Sequence, residues 1–338
     1  MPNGTGPKVV VIGGGTGTFT LLTALKHHFK DITAIVNMTD DGGSTGILRD
    51  ELGVLPPGDV RQCLVALSES DQVMRDLFTY RYTTGTFKGH SFGNLFLTTL
   101  EKVTGSFAEA VEAASGILAI QGKVVPVTTD NARLILETAD GRTIYGEDRI
   151  GEGPADDALF SKGKSHKLYL NTPAKLNPAA ATALAEADLI VIAPGKLYSS
   201  IIPLFLIDGM KQALIKATGK KVYVCNLMTR PTQTAGFTVE DFAAEIERYI
   251  GEPVLDYVIY NTEQPSETLL SRYAVEGEQP VLFSPEAMAK QHYQAVGEPL
   301  IADQIYQRKP GDTLLKRTLI RHDSEKVAGI IKKIAGRS

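Results

Sequence analysis

Residues 8–20 read K-V-V-V-I-G-G-G-T-G-T-F-T, and residues 32–46 read I-T-A-I-V-N-M-T-D-D-G-G-S-T-G. The first stretch opens with a short β-branched run that ends in glycines, and apolar residues at helical spacing follow over Thr18 to Phe29. That order predicts strand, glycine turn, helix. Ile32 to Val36 supplies a second strand, followed by a long polar stretch from Asn37 to about Asp59 that reads as a loop. A loop of that length in a compact domain is usually functional. Glycines at a strand end let backbone approach a diphosphate closely, and the next helix offers free N–H groups at its positive end. Gly13, Gly14, Gly15, Thr16, Gly17 and Thr18 are therefore candidate phosphate-binding residues.

Two common nucleotide signatures fit poorly. The Lys and Ser/Thr of a P-loop are missing, so nothing would grip a γ-phosphate and Mg²⁺ as an ATPase does. Counting G-x-G-x-x-G from Gly13 puts Thr18 at the last glycine, and Asn37 stands where a dinucleotide fold places its ribose-binding acid. An NAD(P)-dependent oxidoreductase is thus disfavoured, though NAD stays among the candidate ligands.

Downstream, helical patterns dominate from Val60 to Ile120. From Lys123 the period shifts towards two, with turn signals at Thr129 to Asn131 and at A-D-G, predicting a small β-rich insertion over residues 124–171. The flanking segments 1–123 and 172–338 form the main domain. Strand and helix alternation resumes with Asp188 to Ala193, Lys221 to Cys225 and Asp256 to Ile259, with helices over Val239 to Ile250 and Ser324 to Ile334. The fold class is α/β, a doubly wound, mainly parallel sheet with ligands at the carboxyl ends of its strands.

Other loops at predicted strand ends carry chemistry. Asp40 and Asp41 precede Gly42, Gly43 and Ser44; they read as turn formers, or as ligands for a hard cation such as Mg²⁺ or for a ribose hydroxyl. In P-P-G-D-V-R, Asp59 is a helix cap and Arg61 an anion contact. His90, in K-G-H-S-F-G-N-L, is a candidate ligand or proton donor before a helix starting near Gly93, with Asn94 as its cap. Gly195, Ser199 and Ser200 form a second glycine turn at a helix head. Asn226, Met228 and Thr229 follow Cys225 in a hydroxyl- and amide-rich loop suited to a base or sugar.

Composition narrows the function classes. The 338 residues are 43% apolar and 22% charged, as in a globular protein, and the net charge of −4 supplies no basic field for nucleic acid. Cys63 and Cys225 lie far apart without C-x-x-C pairing, so they read as buried thiols. The apolar run Val9 to Ile12 is too short for a signal sequence or a membrane span, and the expected location is the cytoplasm.

The motifs at 13–17, 37–46, 55–64, 90–95, 194–203 and 225–229 together resemble the YvcK branch of the CofD-like superfamily, the gluconeogenesis factors, from residue 8 to about 320. That resemblance implies a Rossmann-like three-layer fold, with a nucleotide site between the first and second loops. For the YvcK branch it implies binding of UDP-sugars such as UDP-N-acetylglucosamine, with a regulatory role in cell shape and peptidoglycan precursor supply. For the CofD branch it implies a transferase that moves a phospholactyl group from a guanosine diphosphate conjugate, releasing GMP with a divalent metal, for which Asp40 and Asp41 would be the carboxylates. Lys196 stands where the family position is commonly small and polar, and Gln233 and Ala235 stand where acids are expected. GDP is accordingly a second candidate nucleotide. A homo-oligomer is the base-rate expectation, and a regulatory protein partner would accompany the regulator reading.

Overall fold

The computed structural model describes residues 6–152, 166–303 and 320–336, with backbone alone for residues 151 and 152. Ten strands form in the described residues: β1 (Val9–Gly13), β2 (Ile32–Val36), β3 (Lys123–Pro126), β4 (Leu134–Glu137), β5 (Thr143–Tyr145), β6 (Lys167–Leu170), β7 (Leu189–Ile192), β8 (Lys220–Val224), β9 (Tyr257–Asn261) and β10 (Gln294–Glu298). Seven of them make one sheet in the order β10-β9-β8-β7-β1-β2-β3, and every pairing in it is parallel. β1, β2 and β7 are buried along their whole length. Their unbroken Val/Ile/Leu runs suit strands covered on both faces, where alternation would leave polar side chains in the core. Helices flank the sheet on both sides, completing the three-layer, doubly wound α/β architecture.

Strand order runs outward from β1 in two directions, to β2 and β3 on one side and to β7, β8, β9 and β10 on the other. The chain therefore reverses direction between β1 and β7, and the crevice at their carboxyl ends is where such sheets bind ligands. Helix Gly15–Leu25 leaves β1 at that edge and packs against helices Gly58–Leu67 and Ser324–Ala335. Cys63 and Cys225 are both buried and unpaired. Among the described residues no helix is long and apolar enough to cross a membrane.

Two local expectations change. The stretch 123–126, which periodicity groups with the insertion, is the edge strand of the main sheet and pairs with β2. The separate antiparallel sheet, ordered β5-β4-β6, starts only at Leu134.

The polar stretch 37–59 is not a continuous loop, because Gly43–Leu52 is helical and Gly53 (φ +63°) ends it in the left-handed region. Its buried face consists of Ser44, Thr45, Gly46, Leu48 and Arg49, so no apolar period marks it. Gly46 is required there because a Cβ would collide with the carbonyl oxygen of Asp41.

Arg49 anchors this helix. Its guanidinium donates to Asp40 O (2.9 Å), Asn131 Oδ1 (2.6 Å) and Ala132 O (2.9 Å), tying the second loop to the neck of the insertion. A lysine's ammonium is a single point donor and lacks the planar two-nitrogen fork that reaches these acceptors. Arg49→Lys is expected to lower stability by about 2 kcal/mol, read as an earlier chemical-denaturation midpoint at unchanged slope. An unshifted midpoint would show that the fork contributes nothing net.

Candidate functional site

Helix Gly15–Leu25 begins at the end of β1, with Gly14 in extended backbone. The Asp59 carboxylate accepts the Gly15 amide there, and Thr16 and Gly17 follow along the cavity wall, the position from which a helix start binds an anion. Two contacts make the glycines necessary. A Cβ on Gly14 would run into the Asp59 carboxylate, and one on Gly17 into the Pro194 carbonyl oxygen. The turns after β1 and β7 are thus in backbone contact, and a cavity of about 350 Å³ opens beside them.

Gly14, Gly15, Thr16 and Gly17 line this cavity with Asn37 from the end of β2, Gly195 and Ser200 from the turn after β7, and Asn226 and Met228 from the loop after β8. Asn37 is 1% exposed. Its Oδ1 accepts from the Thr39 amide (3.3 Å) and hydroxyl (3.1 Å), which fixes the side chain and leaves Nδ2 as a buried donor without a partner. Asn226 is held by donating to Gly195 O (2.8 Å), which joins the β7 and β8 loops.

Three carboxylates enter the same cavity. Asp40 does act as a turn former, its Oδ1 accepting the Gly42 amide (3.1 Å), but it also faces the cavity. Asp59 is not the helix cap. Pro57 holds that position, and Asp59 points from the first turn into the site. The third is Glu147, at the start of helix Glu147–Glu152 in the insertion. Burial raises the pKa of all three. Asp59 stands well above the usual range, with the negative charges of Asp40 and Glu147 adding to the effect, and Glu147 reaches about 7 despite its Lys196 neighbour. Lys196 Nζ lies 3.8 Å from Glu147 Oε1. Farther along the wall, half-buried His322 rests 3.0 Å from the Cys225 carbonyl through Nε2, and burial lowers its pKa to about 4.

Several other candidate residues sit behind the cavity wall. Arg61 donates to Asn94 Oδ1 (2.8 Å) and Phe78 O (3.3 Å) in a buried setting away from the cavity. Asn94 in turn donates to Ser44 Oγ (3.3 Å), which lies 3.1 Å from His90 Nδ1. Ser91, not Asn94, caps the helix, and Gly93 makes room for the Arg61 stem. Gly13 and Thr18 are internal to the first turn, where Thr18 bonds Gly14 O (3.1 Å). Ser199 receives a bond from Gln233 Nε2 (3.3 Å) inside a π-helical turn, Leu197–Ile201, and Thr229 donates to Gln279 O (3.1 Å). Gly42 and Gly43 form the entry to the helix that follows them.

Asp41 separates from its neighbour. Its Oδ1 accepts the Asp148 amide (2.9 Å), so it latches the insertion onto the second loop. Among the described residues no group of three or more His, Cys, Asp or Glu side chains is placed to hold a metal ion. Among the described residues an ammonium, that of Lys196, already stands in the carboxylate cluster, and Asp41 is turned aside.

Glu147, Lys196, Arg230, Glu278 and His322 also line the site without having been selected from sequence. Only Lys196 carried a signal, as a charge inside a glycine turn. Glu147 lies far along the chain from the loops it joins and has no motif.

The chain as a whole, with its glycine cradle beside the orphan amide of Asn37, is similar to known proteins. The family described as "2-phospho-L-lactate transferase CofD" matches residues 9–301. A protein of Thermotoga maritima named "Putative gluconeogenesis factor" is 43% identical, covering 97% of this chain and 99% of its own length. The "Gluconeogenesis factor" of Bacillus subtilis is 39% identical, over 97% of this chain and 98% of that one. A crystal structure of a UPF0052 family member from Bacillus halodurans superposes with a TM-score of 0.86 at 35% identity, covering 97% and 99% of the two chains. The similarity extends over the whole length, in sequence and in fold: the chain belongs to the CofD family, in its gluconeogenesis-factor branch.

Proposed function

We propose that this gluconeogenesis factor binds a UDP-sugar, such as UDP-N-acetylglucosamine, in the β1/β7 crevice and acts in the cytoplasm as a regulator of cell shape and peptidoglycan precursor supply. The observation that carries the reading is Asn37. A buried amide donor without a partner costs about 1–3 kcal/mol, and this one faces the cavity beside the N-terminus of helix Gly15–Leu25. A ligand rich in acceptor oxygens satisfies both at once. The diphosphate sits on Gly14 to Gly17, and the loop holding Asn226 and Met228 supplies polar and apolar contacts for the base or sugar.

One observation favours a second reading, a CofD-like transferase. Glu147, titrating near 7 beside the cradle, suits proton transfer at neutral pH. Calorimetric titration of UDP-N-acetylglucosamine, GDP and NAD, followed by chromatography of the mixtures, separates the readings. Selective uridine binding without product, weakened about tenfold by Asn37→Ala, is the expected result. Preference for GDP, or release of a nucleoside monophosphate from a diphosphate conjugate, would move the assignment to the transferase. Absence of binding by every nucleotide would sink both.

A further inference from the structure

We infer that Lys196 is the built-in counter-cation of this site, standing where a divalent ion would otherwise be needed, so that a nucleoside diphosphate binds without metal. The inference rests on the nucleotide reading above and identifies how that site tolerates its ligand.

The difficulty it resolves is electrostatic. Asp40, Asp59 and Glu147 line the cavity that the cradle serves, and Asp59 lies against Gly14 itself. A diphosphate brought onto Gly14 to Gly17 therefore meets three acidic side chains in a buried, weakly screened setting, where any that is ionised repels it, so positive charge placed among them favours binding. Proteins that bind nucleotides beside carboxylates commonly supply that charge as Mg²⁺, held by one or two carboxylates and phosphate oxygens. Here no group of three or more His, Cys, Asp or Glu side chains is placed to hold an ion among the described residues, and Asp41 Oδ1 is bonded to the insertion.

Lys196 meets the requirement geometrically. It lies two residues after Pro194, whose carbonyl oxygen abuts Gly17, so its backbone is fixed against the cradle. Its ammonium reaches Glu147 (3.8 Å) and lines the same cavity. An ammonium has three donors, so contact with Glu147 is compatible with a bond to a phosphate oxygen. Its charge also acts to lower the pKa of Asp40, Asp59 and Glu147 alike, as a cation central to all three would. The unpartnered Asn37 amide independently marks the cavity as a ligand site. Glu147 comes from the insertion and Lys196 from the main sheet, so the pair also sets where the ammonium sits.

The test compares wild type with Lys196→Gln and Lys196→Arg, each checked for folding by thermal unfolding. UDP-N-acetylglucosamine is titrated in EDTA and in Mg²⁺, and Mn²⁺ alone is titrated with paramagnetic detection. Wild type and Lys196→Arg are expected to bind the nucleotide equally in both buffers. Lys196→Gln is expected to lose about tenfold in EDTA, to recover with Mg²⁺, and to gain Mn²⁺ affinity that Asp59→Asn removes. Wild-type binding that requires Mg²⁺, or wild-type Mn²⁺ binding that Asp59→Asn abolishes, overturns the inference, and neither measurement depends on the Gln variant folding. If wild type binds no nucleotide in either buffer, the nucleotide reading fails and the Mn²⁺ titrations decide on Lys196 by themselves.

Discussion

Replacing Gly17 with valine should destabilise the protein by about 3 kcal/mol or more and abolish ligand binding together. A Cβ at this position falls on the Pro194 carbonyl oxygen, which is backbone and cannot rotate away. Relief requires separating the turn after β1 from the turn after β7, and with it the crevice between the two central strands. Lys196 and Gly195 would move with Pro194. Chemical denaturation and a UDP-N-acetylglucosamine titration on the same preparation check both effects. Gly43→Ala is the matched control. Its φ of +46° is unfavourable for alanine, but nothing stands within 4 Å of the added Cβ, so a loss of about 1 kcal/mol with binding retained is expected. Equal behaviour of the two variants would remove the argument for contact between the turns.

Glu147→Gln should change how stability depends on pH. The carboxyl titrates near 7 in the folded protein against 4.5 when exposed, so the folded state holds the proton more tightly. Its contribution is then fully present below about 4.5 and is lost as pH rises through about 7, when a buried carboxylate must ionise. The shift of about 2.5 units corresponds to about 3 kcal/mol. The glutamine variant lacks this loss, so its stability relative to wild type should improve by up to that amount between pH 5 and pH 8. Urea midpoints for both proteins across that range measure it. A difference independent of pH would mean that Glu147 is solvated, and its candidacy for proton transfer would fall with it.

The architecture was legible because local patterns spell it. Val9–Gly13, Ile32–Val36 and Leu189–Ile192 are apolar runs bounded by glycine or polar turns, and such runs are stable only inside a covered parallel sheet. The capping box of helix Val239–Ile250, with Thr238 and Asp241 bonded reciprocally, is likewise written in four residues. Helix Gly43–Leu52 was illegible for the opposite reason. Its glycines and hydroxyls disfavour helix, and its buried face is polar because Arg49 finds its acceptors on residues 40, 131 and 132.

The site divides in the same way. Gly14 to Gly17, Asn37, Asp40, Gly195, Asn226 and Met228 fall in loops at strand ends, and a parallel sheet brings every such end to one edge. Arg61, Asn94, Ser44 and His90 fall in equally suggestive motifs, yet they bond to one another behind the wall. Motif chemistry does not say which way a side chain turns.

By itself, then, the sequence determined the doubly wound sheet and the edge at which the candidate site lies, since strand burial and glycine turns are settled within a few residues of chain. Only the tertiary structure decided the charge of the site. It brought Glu147 from the insertion onto Lys196, turned Asp59 inward and Asp41 outward, and left Asn37 Nδ2 without a partner. Each of those outcomes depends on a contact or an orientation that the local sequence does not specify: a buried charge or amide acquires its energy from whatever packs against it, and that neighbour is chosen by the fold.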